Sequence, residues 1–304
     1  MNLPEAVTIV EVGPRDGLQS EPGFVPTDQK LELIERLADA GLERIEITSF
    51  VSPRAIPQLN DSVEVAARIR RRPGIRYSAL TPNYRGLERA IAAGIEDIAL
   101  FVSASETHNQ KNVRMSIDKS LSSFRQIARV AKSRGIRMRG YVVTTFGCEY
   151  EGRVLLEQVE KIVLAYLEMG VGEISLGDTT GMANPVTVRS MVRRLRPILG
   201  ETALALHFHD TRGTGLANVV AALEEGAVIF DCSIGGLGGC PASRTPAGNI
   251  ATEDLVGMLH EMGIRTGIDL DALIECARYA ERITGRNLPG RLMNAGKVIW
   301  QPGG

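Results

Sequence analysis

Short apolar runs alternate along the chain with longer stretches whose apolar residues recur every three or four positions. The short runs are VTIVEV (from Val7), RIEIT (from Arg44), IRYSAL (from Ile75), DIALFV (from Asp97), RMRGYVVT (from Arg137), EISLGD (from Glu173), ALALHFH (from Ala203) and VIFDCSI (from Val228). Most are rich in Ile, Val, Leu or Phe, which predicts strands covered on both faces. Between them, "DQKLELIERLADAG" sets Leu31, Ile34, Leu37 and Ala38 on one helical face, with Thr27 as its expected cap and Gly41 as its stop. "LLEQVEKIVLAYLEMG" and "GLANVVAALEEG" read the same way, and Pro185 stands where the first turn of "NPVTVRSMVRRLRPILG" begins.

Strand followed by helix, repeated through the chain, predicts a (β/α)8 TIM barrel, for which about 250 residues are typical. The competing open, doubly wound sheet is weakened because no G-x-G-x-x-G follows the first strand. The whole of 1–304 reads as a single catalytic domain, with the barrel over about 5–265 and a C-terminal segment over about 266–304 that opens with the helix "LDALIECARYAERITG". In such barrels the reactive groups sit on the loops that follow the strands.

Composition narrows the setting. The chain is 44% hydrophobic and 23% charged, ordinary for a globular protein. A net charge of −1 supplies no field that would favour nucleic acid or an anionic membrane, and Arg70-Arg71-Arg72 reads as a solvated helix end. The start shows no basic segment ahead of a long apolar run, and no apolar stretch is long enough to span a bilayer, so a cytoplasmic enzyme is expected. Cys148, Cys232, Cys240 and Cys276 form no C-x-x-C pair and no disulfide framework; Cys232 and Cys276 read as structural. His108 and His260 read as surface residues.

The strongest chemical signal is "LHFHD". His207 and His209 are two apart on a strand, so both imidazoles project to the same side and can share one divalent ion. Asp16, which follows strand one in "VEVGPRDGLQ", can add an anionic oxygen, and Asn249 in "TPAGNIATED" a neutral one, unless Asn249 caps the next helix instead. Mixed nitrogen and oxygen ligation suits Mg2+ or Mn2+ better than a closed zinc site. Glu46 is a carboxylate inside an apolar strand and needs a partner, for which Arg15 is a candidate. Asp178, at the end of strand six, has the same positional logic. The glycine-rich stretch from Gly235 to Asn249 is a candidate flexible lid, and its Cys240 thiol could shuttle protons if a nearby metal and arginine lower its pKa.

These motifs together with "IEITSFVSP", "LTPN", "SASETHNQKN", "ISLGDTTG", "GGLGGCP" and "GNIATEDLV" resemble the 3-hydroxy-3-methylglutaryl-CoA lyase family, in order and at family spacing, from about Val7 to Gly267. The resemblance implies a barrel that binds Mg2+ or Mn2+ and cleaves the acyl-CoA substrate to acetyl-CoA and acetoacetate. Carried over by motif, Asp16, His207, His209 and Asn249 correspond to metal ligands and Arg15 to the enolate-stabilising arginine. Cys240 corresponds to the lid cysteine, and Glu46 and Glu253 to supporting active-site carboxylates. The general base and acid stay open among Asp16, His207 and Cys240. Lys111 and Arg114, in the loop expected after strand four, are candidates for CoA phosphate contact, and a bacterial-type member is expected to be a homodimer.

The chain departs from the best-known members in "TTFGCEYEG", in Arg212 and Thr214 of "HDTRGTGLAN", and in "CPASRTPAGN". These segments flank the substrate, so citramalyl-CoA or a longer 3-alkyl analogue stands as an alternative acyl group. A Claisen-type synthase of the isopropylmalate kind and a non-catalytic metal-binding barrel are the other readings. The synthase usually has a longer C-terminal extension and lacks "GLGGCP". The scaffold has no need of Arg15 or Cys240.

Overall fold

The computed structural model describes residues 3–238 and 248–300. Its strands are β1 (Thr8–Glu11), β2 (Arg44–Ser49), β3 (Arg76–Leu80), β4 (Asp97–Ser103), β5 (Arg137–Val143), β6 (Glu173–Asp178), β7 (Ala203–Phe208) and β8 (Ile229–Cys232). They form one closed parallel barrel in chain order, sealed where Thr8 of β1 pairs with Ile229 of β8 and Glu11 with Cys232. The helices are α1 (Thr27–Asp39), α2 (Ser62–Arg68), α3 (Tyr84–Ala92), α4 (Glu106–Val113), α5 (Ile117–Ser133), α6 (Leu156–Glu168), α7 (Pro185–Leu199), α8 (Gly215–Glu224), α9 (Thr252–Glu261), α10 (Leu270–Thr284) and the short α11 (Leu292–Ala295). Fold class and strand order are those the alternation predicts. None of these helices is long and apolar enough to cross a membrane.

The period of two along each strand sorts side chains between two environments. On β2, Ile45 and Ile47 enter the apolar layer shared with the helices, while Glu46 between them turns toward the barrel interior. Leu33, Ile34, Leu37 and Ala38 of α1 fill that same layer. Inside the barrel a small apolar group of Leu80, Ala99 and Tyr141 lies near paired charges. Arg44 of β2 grips Glu173 of β6 through two hydrogen bonds of 2.7 and 2.8 Å. Arg139 of β5 lies 2.7 Å from the same carboxylate and also donates to Asp231 of β8 at 2.5 Å. Burying charges this deeply is tolerable only because each has an opposite partner.

Three local expectations change. Thr27 does not cap α1; Pro26 holds that position, and the Thr27 hydroxyl donates to Asp61 Oδ2 at 2.9 Å. The segment after β4 is not a loop but α4 followed by α5, which places Lys111 on α4 and makes Arg114 its left-handed C-cap, at φ 59°. α4 has no apolar stripe to announce it; Ser105 starts it by accepting from the His108 amide. His108 itself is buried, not on the surface, whereas His260 is exposed and bonded to Thr266.

Candidate metal centre and catalytic rim

β1 ends in a single π-type helical turn, Gly13–Gly17, in which the amides of Asp16 and Gly17 both donate to Val12 O. Buried Glu11 pins this turn: its Oε1 accepts from the Gly13 amide at 2.6 Å and the Ile234 amide at 3.0 Å, and its Oε2 from Thr252 Oγ1 at 2.6 Å. The turn thereby aims Arg15 and Asp16, both buried, at the same mouth of the barrel. Arg15 Nε donates to Glu46 Oε1 and its Nη1 to Asp16 Oδ1, which leaves Nη2 outside both pairs. Glu46 also accepts from the Tyr141 hydroxyl at 3.2 Å. The question of what neutralises Glu46 in an apolar strand is answered by Arg15 and Tyr141 together.

Asp16 meets the two histidines. His207 Nε2 lies 3.2 Å from His209 Nε2 and 3.9 Å from Asp16 Oδ2, and ligand atoms of all three residues lie within 4.8 Å of one another. An octahedral ion with bonds of about 2.1 Å separates neighbouring ligands by about 3.0 Å and opposite ones by about 4.2 Å, so the spacing fits one shared cation. Asn249 arrives through backbone pairing. Residues 248–250 run antiparallel to 208–210, with Ile250 N donating to Phe208 O and Asp210 N to Gly248 O. Its Nδ2 donates to Asp16 Oδ2 at 2.8 Å, and its buried Oδ1 has no partner among the described residues. A buried amide oxygen left unpaired is costly, and a cation beside Asp16 and the imidazoles would satisfy it. Asn249 does not cap α9, whose cap position is Ala251. Gly238 makes room for it: at φ 112° a side chain there would be strained, and a Cβ would stand 2.6 Å from Asn249 Nδ2.

The electrostatics favour an ionised Asp16. Burial opposes its charge, but the Arg15 guanidinium and then the two histidines outweigh that and hold its carboxyl below the usual range. Asp178 behaves oppositely. Burial pushes its carboxyl up to about 6, although its Oδ1 accepts from the Met182 and Ala183 amides, and its buried Oδ2 has no partner among the described residues. It ends β6 at the same mouth.

Glu253 sits behind the loop after β8. Its Oε2 accepts from the Gly235 amide at 2.9 Å, and only a glycine at 290 leaves space for Oε1, since a Cβ there would lie 2.0 Å away. Burial pushes its carboxyl from 4.5 to about 8. The folded chain therefore keeps a proton there that the unfolded chain releases between those values. Stability from this group is present at low pH and is lost as pH rises through 8. We expect Glu253→Gln to gain stability relative to the parent on going from pH 5 to pH 9, by on the order of a few kcal/mol, read from urea midpoints at the two pH values. A difference that does not vary with pH would contradict the buried neutral carboxyl.

Cys240, the centre of the expected lid, lies outside the described residues. Lys111 and Arg114 are exposed at the rim, with Lys111 Nζ 4.0 Å from the Tyr150 ring centroid. Four interior residues of this network, Glu11, Arg139, Tyr141 and Asp231, are not among those the sequence singles out. Each is a polar group inside an apolar strand, the same signal that marks Glu46.

Comparison with known proteins agrees with this geometry. The family model described as HMGL-like matches residues 6–279. The hydroxymethylglutaryl-CoA lyase YngG of Bacillus subtilis is 48% identical over 291 residues, covering 96% of this chain and 97% of that protein. The mitochondrial hydroxymethylglutaryl-CoA lyase of Bos taurus is 44% identical over 96% of this chain and 90% of its own. Among solved structures, an HMG-CoA lyase from Acinetobacter baumannii in complex with coenzyme A and 3-methylmalate superposes with a TM-score of 0.93 at 47% identity, covering 98% of both chains. A barrel of this topology, with the Arg-Asp turn facing the paired histidines and full-length likeness to such lyases, belongs to the HMGL-like family.

Proposed function

We propose that this protein cleaves 3-hydroxy-3-methylglutaryl-CoA to acetyl-CoA and acetoacetate with the aid of a divalent cation, Mg2+ or Mn2+, held by Asp16, His207, His209 and Asn249. The observation that carries the reading is the turn after β1, which sets a guanidinium and a carboxylate side by side with the carboxylate facing two imidazoles. Full-length relatives named as HMG-CoA lyases supply the acyl group, and a relative's complex with coenzyme A supplies the thioester class.

The reaction breaks the C2–C3 bond. The C3 hydroxyl loses its proton and becomes the ketone of acetoacetate, the bonding pair moves to C2 as a thioester enolate, and C2 then takes a proton to become the methyl of acetyl-CoA. A bound divalent cation would lower the pKa of the C3 hydroxyl and chelate the substrate beside it. Arg15, whose Nη2 lies outside its pairs with Glu46 and Asp16 and which is itself buried, would meet the thioester oxygen and stabilise the enolate charge. Glu46 and Tyr141 hold that guanidinium in place, so its positioning is settled before substrate arrives. Asp16, His207 and Cys240 are the groups available to take the hydroxyl proton and return one to carbon. The protein acts in the cytoplasm as a homodimer.

The test is a turnover screen over a small panel of 3-hydroxyacyl-CoA thioesters with Mg2+ or Mn2+, following acetoacetate and acetyl-CoA. 3-Hydroxy-3-methylglutaryl-CoA should give both products in equal amounts and the highest kcat/KM. A preference for citramalyl-CoA, or CoA release from acetyl-CoA and a 2-oxo acid alone, would overturn the assignment.

A further inference from the structure

His207 turns its Nε2 toward His209 and Asp16. Its Nδ1 points the other way, 3.2 Å from Asp231 Oδ2 on β8. Asp231 is fully buried, and its carboxylate is fixed from two more sides: Ser175 Oγ donates to the same Oδ2 at 3.0 Å, and Arg139 Nη2 donates to Oδ1 at 2.5 Å. Arg139 is held in turn by Glu173, which Arg44 clamps from β2, and Arg139 Nη1 donates to the Tyr141 hydroxyl at 2.9 Å. A chain of paired charges thus crosses the barrel from Arg44 to His207.

We propose that Asp231 is a positioning residue that fixes the tautomer of His207, keeping the proton on Nδ1 so that Nε2 presents its lone pair toward Asp16 and His209. This rests on the metal reading for its purpose, but not for its chemistry. An ionised carboxylate only accepts, so the imidazole nitrogen facing it must carry the proton, and a neutral imidazole then has its acceptor on the other side. Arg139 donates to the other oxygen of this carboxylate at 2.5 Å and offers it a permanent positive charge, so Asp231 is held as an acceptor.

The geometry makes a one-atom substitution informative. In Asp231→Asn the side-chain oxygen must face Arg139, because a guanidinium offers only donors. The new amide NH2 then takes the place of Oδ2 and donates to His207 Nδ1, which forces the ring proton onto Nε2, where the ligand lone pair is needed. Arg44→Met serves as the control: it breaks a buried ion pair in the same chain without touching Asp231 or His207.

The experiment locates the His207 ring proton by 15N NMR in metal-free protein at alkaline pH and measures Mn2+ affinity by titration. The parent should carry the proton on Nδ1 and Asp231→Asn on Nε2, with Mn2+ affinity reduced about 10- to 100-fold. Arg44→Met should keep the parent tautomer, and an affinity within about twofold, even where its stability drops. A parent protein with the proton on Nε2, an unmoved proton in Asp231→Asn, or equal affinity losses in the two variants would overturn the proposal. The parent measurement decides the matter by itself if Asp231→Asn does not fold. A parent that binds no Mn2+ yet shows the Nδ1 proton would sink the metal reading and leave the tautomer assignment standing.

Discussion

Arg15→Gln should lower kcat by about 100- to 1000-fold, the usual cost of removing a charge-stabilising donor from an enzyme site, while Mn2+ affinity stays within about threefold of the parent. The asymmetry follows from the turn after β1. Arg15 uses Nε and Nη1 to hold Glu46 and Asp16, and its remaining nitrogen is the one the enolate oxygen would meet. Glutamine reaches neither partner with a positive charge, so the negative charge that develops at the thioester loses its counterpart. Asp16, by contrast, keeps its bonds from Gln19 and Asn249, at 2.8 Å each, and stays in place beside the histidines. Single-turnover rates and a Mn2+ titration on one preparation separate the two effects. An equal loss of metal affinity would mean that Arg15 organises the ligands and has no separate role on the enolate.

His209→Ala should weaken Mn2+ binding by more than the roughly 100-fold upper figure seen when an outer-shell partner is lost, because it deletes a ligand outright. Its Nε2 stands 3.2 Å from that of His207, close to the edge expected of a shared coordination shell. Turnover at limiting metal should fall in parallel and recover in part when Mn2+ is raised. Unchanged affinity by titration would remove His209 from the ligand set.

Both substitutions fall on residues that the pattern of the sequence marks out by itself. The barrel is legible there because eight short, Ile- and Val-rich runs alternate with amphipathic stretches, a pattern that burial on both faces of a parallel sheet imposes. His207 and His209 stand out because a period of two places both rings on one side, and in the folded chain the two rings meet. α4 is not legible, since Glu106 to Val113 is polar around its circumference and is started by the Ser105 cap. Asn249 is ambiguous for a related reason: an Asn shortly before a helix resembles a cap, and only the backbone pairing with His209 shows it turned inward.

The interior charges explain the rest. Glu46 draws notice as an acid in an apolar strand, yet Glu11, Arg139 and Asp231 fit the same pattern of a charge among apolar neighbours. What separates them is tertiary. Glu11 holds the β1 turn to the base of the β8 loop, whereas Arg139 and Asp231 pair across the barrel, 92 positions apart in sequence. Local patterning carries no information about such partners. It indicates only that a buried charge needs one.

The proposed mechanism depends on one cation shared by side chains from the turn after β1, from the end of β7 and the residue that follows it, and from the segment after β8. Electron paramagnetic resonance of the Mn2+-loaded protein, with hyperfine coupling to nitrogen resolved, tests this most directly. The expected result is one tightly bound Mn2+ per chain coupled to two imidazole nitrogens, with one coupling lost in His209→Ala. Manganese bound without imidazole coupling, or the same couplings surviving in His209→Ala, would contradict it.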